Sequence, residues 1–409
     1  MRILFIHQNL PAQFRHLLST LAQTPGVEVI GIRQGDAPAQ GYPDTFPLIR
    51  YKSPQGGGPQ THHYLQGFEG QLRRGQTLAR LCIDLKKRGF VPDWVIAHPG
   101  WGESVFIKDV FPDAHLVSYL EFYYRAEGGD VGFDPEFPAD FETPFRLRIK
   151  NTHLLHDLVA CDEALAPTQW QASQAPALFQ PKIRVMHDGI RTDIAQPKPT
   201  AEFKLPDGRC LRRKDRVLTY VARNLEPYRG FHIFMRALPE ILAADPAIQI
   251  VIVGGDEVSY GARPKPPHAS YRERMLAEVG KQLDATRVHF VGKLPYADYL
   301  SLLQISSLHI YLTYPFVLSW SLLEAMSIGC QILASATPPV TEVIKEGETG
   351  FLFDFFDHRL LAAKAIDLLQ GDGSPEVCLN ARKFVLEHLD YESIVRPRWL
   401  DWLGLQSSI

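Results

Sequence analysis

Along this chain, short apolar runs alternate with amphipathic stretches, the pattern of strands joined by helices. ILFI at 3–6, VEVIGI at 27–32, WVIAHPG at 94–100 and HLVSYLEF at 115–122 read as strands, with a helix through Phe14, Leu17, Leu18 and Leu21 between the first two. A helix is expected near 146–160, leading into EALAPT, and IRVMHDGI at 183–190 closes this half. Apolar strands separated by helices argue for a parallel sheet with right-handed crossovers and helices on both faces. Residues 191–216, RTDIAQPKPTAEFKLPDGRCLRRKDR, break the rhythm with three prolines and a charge cluster and read as a linker. The rhythm then resumes with VLTYVAR (217–223), a helix from about 230, IQIVIVGG (248–255), RVHFVG (287–292), LHIYLTY (308–314) and CQILAS (330–335).

The expected domains are therefore 1–195 and 217–388, with 196–216 between them. YESIVRPRWLDWLGL at 391–405 puts Trp399, Trp402 and Leu403 at helical spacing beyond the second domain. Residues 389–409 are accordingly expected to form a helix that returns to the first domain. The fold class is α/β: two doubly wound Rossmann-like domains facing across a cleft, with ligands at the carboxyl ends of the strands.

The densest signal is YLTYPFVLSWSLLEAMSIGCQILAS, 311–335, which reads as strand, turn, helix, strand. Leu322, Leu323 and Met326 recur at helical spacing, Ser319 or Ser321 is available as N-cap, and Gly329 ends the helix. A helix that begins where a strand ends directs unpaired amides and the positive end of its dipole at the sheet edge, where an anion belongs. Glu324, placed on the first turn, has two readings. Ser321-Leu-Leu-Glu324 fits a capping box, in which Glu returns a hydrogen bond to the cap amide, or the carboxylate grips ribose hydroxyls. In RNLEPYRG, 223–230, Arg223 and Arg229 flank a loop after a strand, where two guanidiniums can hold a diphosphate. Loop arginines are more often simply solvated, and Arg223, at the strand end, is the stronger candidate.

With 409 residues and 45% apolar composition the chain is long enough for two or three domains with full cores. A net charge of −3 argues against a nucleic-acid partner, since neutralising phosphates needs a basic face. Five scattered cysteines with no CxxC pair suggest neither a disulfide frame nor a zinc site, and fit a reducing cytoplasm. The N-terminal apolar run is too short for a signal peptide, and no run nears the ~18 residues that cross a bilayer. The basic stretch QLRRGQTLARLCIDLKKRG, 71–89, reads as a solvated helix face or as a peripheral contact with anionic lipid at the inner face of the membrane. His62-His63 and His153-x-x-His156-Asp157 have metal-like spacing but no identifiable further ligands.

The parts coincide with a family. Arg223 after a strand, Arg229-Gly230, the VGG turn at 253–255, FVG at 290–292, and LLEAMSIGCQILAS followed by EVIKEGETGFLF (342–353) closely resemble the GT-B glycosyltransferases of family 4. LAPTQWQ (165–171) and VMHDGI (185–190) look like that family's interdomain segments, and HQNLPAQFRH resembles one subgroup's N-terminal loop. The resemblance implies transfer of a sugar from a nucleotide donor with retention of configuration, without metal or other cofactor. It implies a donor on the second domain and a glycan, lipid-linked or protein acceptor on the first.

Carried over residue by residue, Arg223 and Arg229 neutralise the diphosphate, although Arg229 stands where Lys is usual. Glu324 holds the ribose, the amides of Val317, Leu318, Ser319 and Trp320 face sugar and phosphate, and Lys293 and Leu294 lie where backbone reads the base. His98, in AHPGWGES, falls where the family has a His near sugar and acceptor, and Gly100, Trp101 and Glu103 shape the acceptor pocket. Glu103 has a second reading as a cap for the next helix, and EFYYRAEGG (121–129) is a second candidate wall. One departure stands out: Phe316 replaces the family's other Glu, and Ser319 stands where Gly is usual. Three outcomes follow: a different sugar seated on Phe316, which is the favoured reading, a carboxylate supplied from elsewhere, or loss of catalysis. The rivals are a sugar epimerase or phosphorylase on the same fold and an inactive nucleotide- or glycan-binding protein.

Overall fold

The computed structural model describes residues 1–37, 39–371 and 373–405. The chain forms two compact units, 1–189 with 391–409, and 190–390. In the first, β1 (Arg2–Ile6), β2 (Glu28–Gln34), β3 (Leu48–Tyr51), β4 (Trp94–Ala97), β5 (His115–Tyr119), β6 (Glu163–Ala166) and β7 (Ile183–Val185) make one sheet. Its order is β3-β2-β1-β4-β5-β6-β7, with every neighbouring pair parallel. The helices are α1 (Arg15–Leu21), α2 (Leu65–Lys87), α3 (Ile107–Val110), α4 (Thr143–Lys150), α5 (Thr152–Ala160) and α6 (Gln169–Gln174). Ile3, Leu4, Phe5 and Ile6 of β1 are all buried, as expected of a central strand covered on both faces.

The second unit opens with an antiparallel hairpin of β8 (Glu202–Lys204) and β9 (Cys210–Arg212). Its sheet, ordered β12-β11-β10-β13-β14-β15 and parallel throughout, is built from β10 (Val217–Asn224), β11 (Gln249–Gly255), β12 (Val288–Gly292), β13 (Leu308–Tyr311), β14 (Ile332–Ser335) and β15 (Phe351–Phe353). The helices are α7 (Phe231–Ala244), α8 (Tyr271–Val279), α9 (Tyr296–Ile305), α10 (Trp320–Ile328), α11 (Pro338–Thr341), α12 (His358–Gln370) and α13 (Pro375–His388). Gly230, at φ 64°, begins α7 so close to the chain leaving β13 that a β-carbon there would lie 2.4 Å from Leu312 Cβ. No side chain fits that approach.

Several expectations change. The stretch 196–216 is part of the second unit, because the apolar face of the β8–β9 hairpin is buried. Phe203, Leu205 and Leu211 pack with Val217, Val251, Leu302 and Ile305. The helix expected near 146–160 is two helices that break at Asn151, whose buried side chain donates to Tyr124 O at 2.7 Å and accepts from Tyr124 N at 3.2 Å. After the second unit, a helical turn at 391–395 and α14 (Arg396–Trp402) belong to the first. Tyr391, Val395, Trp399 and Leu403 share a core with Phe5, Phe14, Leu17, Val117 and Leu165. Tyr391 Oη lies 2.6 Å from Thr20 Oγ1, and Trp402 Nε1 donates to Glu163 Oε2 at 2.6 Å.

The basic segment 71–89 lies in α2, where Leu78, Cys82 and Leu85 join the core of the first unit. Its apolar stripe faces protein, and its charges form a solvated helix face. Among the described residues no helix is long and apolar enough to cross a membrane.

Candidate functional site

In a parallel sheet the strand carboxyl ends share one edge, and polar residues in the chain leaving those ends are the candidates for chemistry. In the second unit, Arg223 is the exposed penultimate residue of β10, while Arg229, in the turn before α7, is buried. Arg229 Nη1 donates to Thr313 Oγ1 at 2.8 Å, Val317 O at 3.0 Å and Tyr311 Oη at 3.4 Å, and its guanidinium lies 5.4 Å from the Tyr260 ring. Burial alone would lower its pKa, but Tyr311, Tyr260 and Glu226 outweigh that and raise it. Arg229 is therefore a permanent buried cation that organises the 313–317 turn. Of the two arginines, Arg223 is the one open to a ligand.

The N-cap of α10 is Ser319, whose Oγ accepts from Ser321 N at 3.2 Å. This overturns the capping-box reading: Ser321 is inside the helix, and Glu324 sits in the second turn. The Glu324 carboxylate instead accepts Tyr296 Oη on Oε1 and Tyr299 Oη on Oε2, both at 2.7 Å. Burial, reinforced by the Glu324 charge, pushes the Tyr299 phenol well up, so it stays a donor. Ser319 N donates to Tyr311 Oη at 2.9 Å. The amides of Val317 and Leu318 have no acceptor among the described residues, and Trp320 opens the helix.

Phe316 is buried, with its ring 4.8 Å from Tyr260 and 5.4 Å from Tyr228. The position that sequence reading offered as a seat for sugar is thus a packed member of an aromatic cluster that continues to Tyr314 and Phe355. Lys293 is half-exposed and ion-paired to Glu257, and Leu294 packs on the core. Glu226, fully buried, clamps the neighbouring loop by accepting from Ser259 N at 3.1 Å and Tyr260 N at 3.1 Å.

In the first unit His98 follows β4 and is buried. Its Nδ1 accepts from Gly100 N at 3.1 Å, and its ring stacks on Trp101 at 4.6 Å and Tyr119 at 5.7 Å. Gly100 is pressed against that imidazole: a β-carbon there would lie 2.7 Å from His98 Cε1. From below, His153 Nε2 meets Gly100 O at 3.2 Å. Both polar atoms of the Gly100 backbone are thus engaged, and the turn presents Trp101, which is half-buried.

Glu103 departs from both of its readings. It is fully buried, accepts Tyr51 Oη at 2.6 Å, and caps nothing, since the N-cap of α3 is Phe106. Burial raises its pKa against the opposing pull of Tyr51, His98 and Arg74. The metal-like pattern also dissolves, because His156 is exposed while His153 and Asp157 are buried. His62 and His63 stack on each other in an exposed loop.

Glu121, the first residue of the candidate wall 121–129, lies beside His98. Sequence reasoning gave no role to Gln13 and His7, which lie near it, or to Tyr296 and Tyr299, which hold Glu324. The signal for His7 was available: it closely follows an apolar strand at the carboxyl edge, as His98 does.

Two parallel α/β units, each with polar residues gathered at the strand carboxyl ends, define a protein of two doubly wound α/β domains. Residues 26–195 match the model of the glycosyl transferase family 4 group, and residues 208–383 match that of glycosyl transferases group 1. On both halves the chain belongs with the GT-B glycosyltransferases. A D-inositol 3-phosphate glycosyltransferase of Acidothermus cellulolyticus is 27% identical over 213 residues, 49% of this chain and 44% of that protein. A phosphatidyl-myo-inositol mannosyltransferase of Mycolicibacterium smegmatis is 27% identical over 165 residues, 39% of this chain and 38% of that protein. The alignments thus span less than half the length of these curated relatives. Among solved structures, Anabaena HepE in complex with UDP and glucose superposes with TM-score 0.68 at 15% identity, covering 99% of this chain and 100% of that one. Sucrose-phosphate synthase of Thermosynechococcus elongatus gives 0.72 at 17% identity, covering 99% and 98%. At such identities these structures speak to the fold alone.

Proposed function

We propose that this protein moves a sugar from a nucleotide-diphosphate donor, bound by the second unit, to an acceptor bound by the first, with retention of configuration and without a metal. The observation that carries this reading is the turn before α10. Arg229 and Tyr311 fix it from the buried side, while the Val317 and Leu318 amides keep their donors free. Breaking a glycosyl–phosphate bond places negative charge on the diphosphate, and preorganised amides with an open guanidinium, Arg223, are the groups that stabilise it. Glu324 supplies a buried carboxylate for ribose hydroxyls, which can take the place of the tyrosine hydroxyls now on it. Lys293 and Leu294 border the base, and His98 and Trp101 the acceptor. HepE's complexes with UDP and UDP-glucose support a nucleotide-sugar donor. The inositol-phosphate relatives support a hydroxylated acceptor.

Phe316 favours a second reading, a protein that binds nucleotide sugars without turning them over, because no carboxylate stands at that position. A thermal-shift screen with UDP-glucose, GDP-mannose and their nucleotides tests donor binding, since a ligand that binds only the folded state raises the melting temperature by mass action. Donor stabilisation is expected in the wild type and lost in Arg223→Ala and Glu324→Ala. Variants that respond like the wild type would remove the site assignment. Donor hydrolysis or transfer separates the enzyme from the non-catalytic reading.

A further inference from the structure

The loop after β11, residues 256–261, is tied down from three sides. Glu226 is 0% exposed, and its carboxylate accepts three successive main-chain amides: Ser259 N at 3.1 Å on Oε1, with Tyr260 N at 3.1 Å and Gly261 N at 3.4 Å on Oε2. A carboxylate buried so completely needs charge-assisted partners, so Glu226 and the loop fix each other. A hydrogen bond of 2.7 Å joins Ser259 Oγ to the side chain of Asn224, the neighbour of Arg223. On the remaining side Glu257 pairs with Lys293.

What this clamp presents is Tyr260. Its ring lies 4.8 Å from that of Phe316 and 6.1 Å from that of Tyr228, and the Arg229 guanidinium sits 5.4 Å from its centroid and hydrogen-bonds its side chain. Phe316 is 5% exposed, whereas Tyr260 keeps 38% of its surface open. The phenylalanine is therefore the backing, and the tyrosine is the ring that a ligand meets.

A single exposed tyrosine is ordinary, but this one is bracketed by both groups proposed to hold the diphosphate. Arg223 precedes Asn224, which is bonded to the residue before Tyr260. Val317 follows Phe316, against which Tyr260 packs. A sugar joined to a diphosphate between those groups lies within reach of the open ring.

We propose that Tyr260 is the seat of the donor sugar, its open face stacking on the apolar C–H face of a pyranose, and that Glu226 is the positioning residue that holds it there. The assignment rests on the donor reading above. It also gives Phe316 a purpose. Where the resemblance calls for a carboxylate that grips sugar hydroxyls, this chain has an aromatic wall, and the buried phenyl ring supports the tyrosine that faces the sugar. A flat ring against a C–H face removes apolar surface of both from water and requires no charge. The nucleotide is held separately, by Arg223, Glu324 and the amides of the turn, so the sugar and the nucleotide can be uncoupled by substitution.

The test uses the full chain and titration calorimetry, with whichever of UDP-glucose or GDP-mannose raises the wild-type melting temperature and with the matching nucleoside diphosphate alone. Tyr260→Ala is expected to weaken the nucleotide sugar about tenfold or more and the diphosphate by less than about threefold. Tyr260→Phe, which keeps the ring, should stay within about threefold of wild type for both ligands. Tyr260→Leu, which keeps apolar bulk over Phe316 without a flat face, should follow the alanine variant. Glu226→Gln is expected to show the same selective loss, and adding Tyr260→Ala to it should deepen that loss by less than about threefold, because both act through one ring. Equal weakening of the two ligands in Tyr260→Ala would mean that the loop serves the phosphate site alone and would overturn the assignment. So would an alanine or leucine variant that binds the nucleotide sugar as the wild type does. Additive losses in the double variant would overturn the role of Glu226 while leaving that of Tyr260. A wild type that binds neither the nucleotide sugars nor the diphosphates would overturn the donor reading itself, and this assignment with it.

Discussion

Arg223 and Arg229 begin as candidates in one loop, Arg223 the stronger for its place at the strand end, and they end with different roles. Arg229 is surrounded by Thr313, Tyr311 and the Val317 carbonyl, and removing it leaves those groups without their cation in a buried place. Arg229→Ala is expected to destabilise the fold by about 3 kcal/mol, from the charge-assisted hydrogen bonds it makes. Arg223→Ala, at an exposed position, should leave the denaturation midpoint within about 0.5 kcal/mol of wild type. Urea unfolding of both variants checks the contrast, and equal destabilisation would mean that exposure misidentifies which arginine is structural. The arginines were legible in the sequence as a pair of cations near a strand end. Which of them turns inward was not, because that depends on Tyr311 and Thr313, which arrive from a different strand of the sheet. The same holds for Glu324, where only the folded chain brings Tyr296 and Tyr299 from α9 onto its carboxylate.

At the scale of elements, α10 shows what periodicity conveys and what it omits. Leu322, Leu323 and Met326 marked the helix, and Gly329, at φ 81°, ends it. The start was ambiguous between two serines two residues apart, and a shift of that size moves Glu324 from the first turn to the second. Ser319→Ala removes the cap and is expected to cost about 1 kcal/mol, whereas Ser321→Ala should cost little. Thermal denaturation of the two variants distinguishes them, and a larger effect at Ser321 would return the capping box. The β8–β9 hairpin escaped notice for a different reason. Prolines and charges dominate 196–216, and the apolar residues that anchor it, Phe203, Leu205 and Leu211, are too few to show a period. The parallel sheets, by contrast, were plain, because strands buried on both faces appear as unbroken apolar runs.

Across the whole molecule, buried titratable groups set how stability depends on pH. His153, His187 and His309 are pushed by burial to about 4, and His7 is held well below 6.5. A depressed histidine contributes stability that is present above the ordinary value of 6.5 and lost as pH falls through the folded value. Asp157 has the opposite sign. Burial raises it to about 8, so its contribution is present below the ordinary carboxylate value and lost as pH rises through 8. Four histidines outweigh Asp157 and Glu103, which burial also raises, on the acid side, and Asp157 acts against them above 6.5. The melting temperature is therefore expected to peak between about pH 6 and 7 and to decline toward pH 8. In Asp157→Asn the alkaline decline should flatten while the acid limb stays. An unchanged alkaline limb would mean that Asp157 is ionised in the native protein.

The first unit is interrupted in sequence: Trp399 and Leu403 fill a core otherwise made by residues 1–189. On the ribosome, the amino-terminal portion therefore emerges early and must wait, its sheet face bare around Phe5, Phe14 and Leu17, until 391–405 are translated. The continuous stretch 190–390 lacks no such piece and can finish first. Maturation would then run against the direction of synthesis, leaving the first-made residues dependent on chaperones for longest. Fragments test this: 190–390 should give a cooperative unfolding transition when expressed alone, and 1–189 should aggregate unless a peptide spanning 391–405 is added back.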